Sequence, residues 1–167
     1  MLVELVVENL AVVERLRLRF QPGFNVLTGE TGSGKSLLVD ALSLLFGGRA
    51  SGEIVRAGAN RAFVSGIFEL PEDRQLKTFL ESAGIESEEG ELLIEREVSA
   101  SGKSRAFAAS RPVTAAFLRE LAAFLGDIHG QHDQQRLFAA EAQLEMLDAF
   151  AGHGPALGEV AELYARW

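Results

Sequence analysis

A short glycine-rich segment carries the residues best suited to chemistry. Residues 27–36 read LTGETGSGKS, in which Gly29, Gly34, Lys35 and Ser36 match the phosphate-loop pattern G-x-x-x-x-G-K-[ST]. Glycine lets the backbone curl so that successive amide N–H groups point inward, and the N-terminus of a following helix adds a positive field at the same place. The pattern therefore predicts a site for the phosphates of a nucleotide.

The whole loop is predicted to contact the nucleotide. The residues concerned are Gly29, Glu30, Thr31, Gly32, Ser33, Gly34, Lys35, Ser36 and Leu37. Lys35 would reach the β- and γ-phosphates, which also makes it a predicted catalytic residue, and Ser36 would ligate Mg²⁺. The predicted cofactors are therefore ATP and Mg²⁺. The alternative interpretation is a glycine-rich helix entry with an exposed lysine.

Hydrolysis needs more than a phosphate loop. It needs a second Mg²⁺ ligand, usually an acid at the end of a strand, and a group that positions water. The nearest apolar run that ends in an acid is AFLGD, residues 123–127, which Gly126 interrupts and no second acid follows. The sequence therefore predicts only half of an active site.

A second polar cluster, DIHGQHD, occupies residues 127–133. Histidine and aspartate are metal-ligand types, although this spacing fits no common zinc pattern and the chain has no cysteine. A polar surface turn between helices is the other interpretation from the residues alone.

Composition limits the classes of protein that fit. A chain of 167 residues with 47% apolar residues is long and apolar enough for one domain with a sizeable core. The absence of cysteine excludes disulfides and is consistent with a reducing cytoplasm. No signal peptide and no run of about 20 apolar residues is visible, so we expect no membrane partner. The net charge of −8 means that DNA contact would need a local basic patch, for which residues 49–61 and 15–19 are the candidates.

Hydrophobic periodicity predicts a mixed α/β chain. The predicted strands are 2–8, 12–20, 24–28, 62–70, 91–98 and 104–109, of which the first two pair through a turn near residues 9–11 and the last two form a hairpin. The predicted helices are 35–46, 71–83, 114–124 and a helical region from 134 to 167 with an interruption at 152–155. The strand at 24–28 and the helix at 35–46 flank the glycine-rich loop, which is the context that the phosphate-loop pattern requires.

Longer stretches resemble one known family. GETGSGKSLLVDALSLLFGGRA at 29–50, followed by DIHGQHDQQRL at 127–137, is similar to the RecN family, bacterial DNA-repair ATPases related to the structural-maintenance-of-chromosomes (SMC) proteins. The stretches VENLAVVERLRLRFQPGFNVLTGE at 7–30 and SGKSRAFAASRPVTAAFLREL at 101–121 resemble the same family. The likeness runs from Met1 to about Phe150.

This resemblance implies an α/β P-loop NTPase fold. The chain would be the N-terminal lobe of an ABC-type ATPase head with an antiparallel β subdomain, followed by the start of a coiled-coil helix. The lobe would span residues 1–133, and residues 134–167 would form helices that lead into the coiled coil.

The resemblance also implies two further site residues. Gln131 takes the position of the glutamine that contacts Mg²⁺ and the attacking water in such heads, which makes it a predicted catalytic residue and metal ligand. An arginine in the segment after the phosphate-loop helix lies close to nucleotide or DNA in related heads. Among Arg49, Arg56 and Arg61 we favour Arg56 as a nucleotide contact, and a solvated loop arginine is the alternative.

The implied activity is ATP binding, with hydrolysis once a C-terminal lobe and a second head complete the site. Hydrolysis would drive head closure in DNA double-strand break repair and recombination. The implied partners are the C-terminal lobe of the same protein, a second copy through the head and coiled-coil regions, and DNA, in the nucleoid-containing cytoplasm of a bacterium.

The acidic strand, catalytic glutamate, signature motif and switch histidine of such heads belong to the C-terminal lobe, and these 167 residues contain none of them. We therefore expect the chain alone to be inactive or nearly so. A non-catalytic interaction or dimerisation module with a vestigial P-loop is the alternative. A small P-loop kinase fits less well, because the tail is acidic and amphipathic where such kinases carry a basic lid.

Overall fold

A computed structural model describes residues 1–29, 34–128 and 140–167. The chain divides into two compact units, Met1–Asp127 and Ile128–Trp167. The first unit holds the sheet and the helix that follows the glycine-rich loop, so it contains the described part of the predicted nucleotide site.

The described residues of the first unit form one antiparallel sheet of six strands. In chain order the strands are β1 Leu2–Leu10, β2 Val13–Arg19, β3 Arg61–Glu69, β4 Glu91–Ser99, β5 Ser104–Ala108 and β6 Arg111–Val113. They lie side by side in the order β2-β1-β3-β4-β5-β6, and every neighbouring pair is antiparallel. The antiparallel subdomain that the sequence predicts is therefore confirmed.

Three α-helices and a short 3-10 helix, Gly52–Ile54, accompany the sheet among the described residues of this unit. The α-helices are α1 Lys35–Leu45, α2 Arg74–Ser82 and α3 Ala115–Leu125. Helix α1 lies against β1, β3 and β4, and its Leu45 is fully buried in the common core. Helices α2 and α3 meet through Phe79 and Phe117, whose rings stack with centroids 4.7 Å apart.

Alternating burial explains why these segments become strands. In β3 and β4 every second residue is buried, as the two-residue period of a strand with one covered face requires. The buried positions of β4 are Leu92, Ile94, Arg96 and Val98, three apolar residues and one arginine. The face that carries them packs into the core, and the presence of Arg96 on it is unexpected.

The predicted strand at 24–28 is wrong. No described residue between 20 and 29 belongs to a strand, and Phe24, Val26 and Leu27 are 93%, 62% and 51% exposed. An isolated extended segment gains no ladder hydrogen bonds, and the described residues place no strand beside this one. Residues 24–28 therefore have the apolar sequence of a strand but no neighbouring strand with which to pair.

Two smaller differences follow from local chemistry. Strand β6 at Arg111–Val113 is absent from the sequence prediction, because a three-residue segment containing Pro112 gives almost no periodic signal; proline is accepted there because β6 is a sheet edge. The helix predicted from residue 71 begins at Arg74, because the Asp73 carboxylate accepts hydrogen bonds from the amides of Gln75 and Leu76.

The arginines of β2 are paired across the sheet. Arg15 contacts Glu8 at 3.3 Å, while Arg17 and Arg19 contact Glu4 at 2.9 and 3.0 Å. Hydrogen bonds donated by Arg17, and then by Arg19, lower the pKa of the Glu4 carboxyl below its usual value. The candidate basic patch at residues 15–19 is therefore largely neutralised by its own neighbouring strand.

The described part of the second unit consists of two helices. They are α4 Ala140–Ala151 and α5 Gly154–Arg166, separated at Gly152 and His153 where the sequence predicts an interruption. Helix α5 exposes apolar side chains at Leu157, Val160, Leu163 and Tyr164. Across the residues that the structure describes, no helix combines the length and apolarity needed to cross a membrane.

Candidate nucleotide-binding site

The described part of the site is built around the start of α1. Gly34 precedes the helix with φ 88° and ψ 6°, a left-handed conformation that glycine adopts without steric cost. Its predicted role in the loop therefore has a backbone reason. The first turn of α1 contains no acidic residue, and no side chain of the described residues caps it. Its leading amide N–H groups have no intrahelical acceptor, so they and the helix dipole present positive charge at this end.

Lys35 is the first residue of α1 and contacts Gly29. It is half-buried, and its Nζ donates a hydrogen bond to the Gly29 carbonyl oxygen. This contact holds the two ends of the glycine-rich segment together and places an ammonium group at the N-terminus of α1. A second positive group thus joins the backbone amides at the position that the sequence predicts for phosphate.

Ser36 and Leu37 follow on the first turn. Ser36 is exposed, so its hydroxyl is open to a ligand such as Mg²⁺. The Leu37 side chain is only 8% exposed because it packs into the core, so only its backbone amide is suited to the predicted nucleotide contact. Ser36 faces solvent, while Leu37 anchors α1 in the core. The site and the core are therefore joined through adjacent residues.

Several predicted site residues fall outside the described parts of the chain. They are Glu30, Thr31, Gly32, Ser33 and Gln131. Their roles stay predictions, and the described geometry of the site is that of Gly29 and residues 34–37.

Arg56 lies beside the β1–β2 hairpin. Its backbone N–H donates to the Asn9 carbonyl at 2.9 Å, and its Nη2 lies 3.3 Å from Oε2 of the exposed Glu14. These two contacts tie Arg56 to the hairpin and to β2, and neither involves Gly29 or residues 34–37. Its predicted nucleotide contact stays a prediction.

The other two connector arginines differ in position. Arg61 pairs with Glu97 on the neighbouring strand at 2.8 Å, which assigns it to the sheet. Arg49 lines a cavity of about 340 Å³ together with Leu37 and Asp40 of α1. Arg49 is thus a connector arginine that shares a cavity with the phosphate-loop helix. Sequence spacing alone does not favour Arg49, because tertiary packing decides which residue of the connector at 47–61 lies against α1.

The acid considered as a second magnesium ligand does not follow a strand. Residues 123–125 belong to α3, and the exposed Asp127 comes after the end of that helix. Asp127 is therefore not a strand-end carboxylate, which agrees with the sequence analysis, where Gly126 interrupts the apolar run and only half of an active site is predicted. Of the segment 127–133, only Asp127 and Ile128 are described, and no group of three potential metal-binding side chains occurs in the described ranges.

The residues present fit a magnesium nucleotide. A phosphate chain requires converging N–H donors and a cation, and Gly34, Lys35 and the first turn of α1 supply both. The exposed Ser36 hydroxyl is an oxygen ligand of the kind that Mg²⁺ accepts. Gly29 and residues 34–37 are therefore suited to hold a phosphate chain, and none of these residues is an acid that could serve in hydrolysis.

Solved structures share this fold at low sequence identity. The Smc head domain with a coiled coil and joint from Pyrococcus yayanosii superposes with a TM-score of 0.64 at 20% identity, covering 99% of this chain and 36% of that one. A structure from work on ATP-driven dimerization and DNA-stimulated activation of SMC ATPases gives 0.63 at 19% identity, covering 88% and 97%. The described residues therefore share the fold of SMC ATPase head domains. The chain belongs to the AAA domain family, whose family model matches residues 4–148.

Curated relatives are more similar to this chain in sequence than these solved structures are. The DNA repair protein RecN of Halalkalibacterium halodurans is 43% identical over 169 residues, which covers 100% of this chain and 30% of that protein. RecN of Bacillus subtilis is 45% identical over 152 residues, covering 91% and 26%. The resemblance to RecN that the motifs indicate is confirmed. The chain spans less than a third of the length of these relatives.

Proposed function

We propose that this chain binds Mg·ATP through residues 29–37 as the N-terminal lobe of a RecN-type ATPase head. The observation that carries the proposal is the start of α1, where Gly34 opens the helix and Lys35 Nζ donates to the Gly29 carbonyl. An anion placed there meets open amide donors, a helix dipole and an ammonium group. The alternative, a glycine-rich helix entry with an exposed lysine, fits less well, because Lys35 is half-buried and its Nζ reaches the Gly29 carbonyl.

The proposed chemistry is electrostatic. The backbone amides and Lys35 hold the phosphate chain and neutralise charge that develops during phosphoryl transfer. Bound Mg²⁺ would add charge neutralisation between the phosphates, with Ser36 as its ligand from this lobe. Gln131 would orient the attacking water. The remaining groups, an acid on a strand and a signature motif from a second head, are proposed to come from polypeptide beyond this lobe.

The exposure of the apolar segment at 24–28 favours a partner segment that this lobe does not supply. Phe24, Val26 and Leu27 lead directly to the loop yet expose more than half of their surface. We propose that the C-terminal lobe of the same protein supplies strands beside this segment, which would bury these side chains and complete the ladder. The same docking would bring the missing acid to the loop that the segment enters.

The role that we propose for the whole protein goes beyond nucleotide binding by this lobe. RecN relatives are DNA repair proteins, so we propose a cytoplasmic, nucleoid-associated role in double-strand break repair and recombination. Nucleotide binding would close two heads, and hydrolysis would release them. DNA and a second copy of the protein are the proposed partners. The exposed apolar positions of α5 favour association through this region, which equally supports the alternative of a dimerisation module with a vestigial P-loop.

We expect the 167-residue chain to bind fluorescent Mg·ATP weakly, with a Kd of roughly 10–100 μM, and to hydrolyse almost none. Titration followed by fluorescence anisotropy, together with a phosphate-release assay, measures both quantities. Binding separates the ATPase lobe from the dimerisation module, because a vestigial loop would give no saturation. Rapid turnover by the chain alone would contradict the half-site.

Turnover is expected to appear when the C-terminal lobe of the same protein is added in trans. A matched control is the variant Phe24→Asp with Val26→Asp, which should leave the affinity of the isolated chain for ATP unchanged and prevent activation by the second lobe. Equal activation of the variant and the original chain would refute the proposed docking segment. The completed head is also the material in which to measure DNA binding, for which we expect a modest dependence on salt.

A further inference from the structure

One side chain closes the turn between β2 and the phosphate loop. The Asn25 Oδ1 accepts a hydrogen bond from the Gln21 backbone amide at 3.1 Å. The Asn25 Nδ2 donates to the Gln21 carbonyl oxygen at 2.7 Å and to the Gly23 carbonyl oxygen at 3.3 Å. These three hydrogen bonds form a clamp, the Asn25 clamp, in which one side-chain amide pairs with both backbone polar groups of Gln21, as a residue of a neighbouring strand would.

The Asn25 clamp requires a side chain that donates and accepts at the same time. Pro22 and Gly23 are residues typical of a type II turn, and Gly23 has the positive φ of 88° that this turn needs. Among the described residues, however, the Phe24 amide does not donate to the Gln21 carbonyl, which is the bond that closes an ordinary β-turn. The Asn25 Nδ2 donates to that carbonyl instead, so the turn depends on the chemical identity of Asn25.

The clamp fixes the start of the segment that leads into the phosphate loop. Before the clamp, the Phe20 amide donates to the Val3 carbonyl oxygen at 2.9 Å, which ties the end of β2 to β1. After the clamp, residues 26–28 make no hydrogen bond to any other described residue. Gly29 is the next anchored position, since its carbonyl accepts a hydrogen bond from the first residue of α1. The segment is therefore held at Asn25 by the sheet and at Gly29 by α1.

We propose that Asn25 is a positioning residue for the nucleotide site, because its clamp sets where the phosphate loop begins. This inference rests on the proposed binding of Mg·ATP by residues 29–37, and Asn25 acts through Gly29 without a nucleotide contact of its own. With the clamp, Gly29 lies four residues beyond the last tied position; without it, the last tie is at Phe20, nine residues before Gly29. The entropy cost of fixing both ends of a flexible segment grows with the logarithm of its length, so this lengthening should weaken nucleotide binding about threefold.

The test compares the Kd of the 167-residue chain and its Asn25 variants for fluorescent Mg·ATP by anisotropy. Asn25→Ala removes the clamp and is expected to raise the Kd about threefold. Asn25→Asp keeps the size of the side chain and the acceptor for the Gln21 amide, but it places a second oxygen against the Gln21 carbonyl. It should therefore raise the Kd at least as much as alanine does, whereas a side chain that only fills space would let the aspartate variant bind like the original chain.

A second measurement shows whether the affinity changes through the segment itself. Asn60→Ala is the matched control, because it removes another exposed asparagine side chain from the same unit. The ¹H–¹⁵N heteronuclear NOE of the backbone amides of residues 26–28 reports their fast motion without nucleotide. We expect this NOE to fall in Asn25→Ala and to stay unchanged in Asn60→Ala, with one Tm for all three chains because the turn is exposed. A Kd that rises without a change in NOE, an NOE that falls without a change in Kd, or a large fall in Tm would overturn the positioning role.

These measurements separate the positioning role from the proposed function. If the original chain and Asn25→Ala bind Mg·ATP equally well, the positioning role is refuted and nucleotide binding stands. If the original chain does not bind Mg·ATP, the proposed function fails and the positioning role fails with it. A higher Kd and a lower NOE in Asn25→Ala, with neither change in Asn60→Ala, would support both.

Discussion

Replacing Lys35 with alanine is expected to lower the affinity for Mg·ATP by at least about a hundredfold while the fold stays intact. The lysine supplies the ammonium group at the start of α1, where its Nζ donates to the Gly29 carbonyl. Each hydrogen bond to a charged group contributes about 1.5–3 kcal/mol, so losing contacts to two phosphates removes most of the binding free energy of a weak site. Alanine is a good helix former, so α1 itself should tolerate the change.

A matched control keeps this result specific. Lys77→Ala removes an exposed lysine from α2, another helix of the same unit, and should leave nucleotide affinity unchanged. Anisotropy titrations give the two affinities, and circular dichroism with thermal unfolding compares the folds. An unchanged affinity in Lys35→Ala would remove the basis of the proposed function, because binding would then not depend on the ammonium group at the start of α1.

Sequence periodicity predicts the elements whose burial is one-sided. Strands β3 and β4 are predictable because each alternates more and less buried residues over nine positions, whereas in β1 this alternation is limited to the residues around Leu5 and Val7. Helix α1 is predictable from its apolar spacing after the glycine-rich loop, and its observed bounds, Lys35–Leu45, differ from the prediction by one residue. The positions of these elements follow from local sequence patterns, so a single sequence is sufficient to predict them.

Other features depend on contacts that no local pattern encodes. The apolar run at 24–28 has a strand-like sequence, but a strand exists only beside a partner, and the described residues provide none. The sequence favours Arg56 over Arg49, yet it is Arg49 that lines a cavity with α1. The connector between 47 and 61 has little periodicity, so nothing in it indicates which arginine returns to the helix.

Arg96 is not among the predicted site residues, although the sequence holds a signal for it. In β4 it lies in register with Leu92, Ile94 and Val98, so alternation alone places it on the buried face. A charged residue in phase with buried apolar residues is informative, because an arginine is rarely buried without a partner. Burial lowers the pKa of Arg96, and the charge of Arg119 on α3 lowers it further. Arg119 comes from a distant segment of the sequence, and only the tertiary structure brings the two arginines near each other.

Gly47→Ala is expected to destabilise the chain by about 3 kcal/mol or more. Gly47 follows α1 with φ +80°, and its amide and that of Gly48 donate to Leu44 and Ser43, which closes the helix in a Schellman motif. A Cβ at this position would collide with the Ala115 carbonyl oxygen of α3 and lie 2.9 Å from the Arg119 amide nitrogen. Backbone strain of about 1–2 kcal/mol and overpacking of about 1–3 kcal/mol therefore add.

Gly90→Ala separates these two contributions. Gly90 has the same φ of +80°, but a Cβ there would meet no described atom within 4 Å, so only the backbone strain of about 1–2 kcal/mol should remain. Urea unfolding followed by circular dichroism gives both free energies of unfolding. Equal losses in the two variants would mean that α1 and α3 do not approach closely at Gly47. That contact matters for the proposed nucleotide site, because the helix that begins at Lys35 is held at its other end to α3, where Arg119 Nη1 donates to the Gly47 carbonyl.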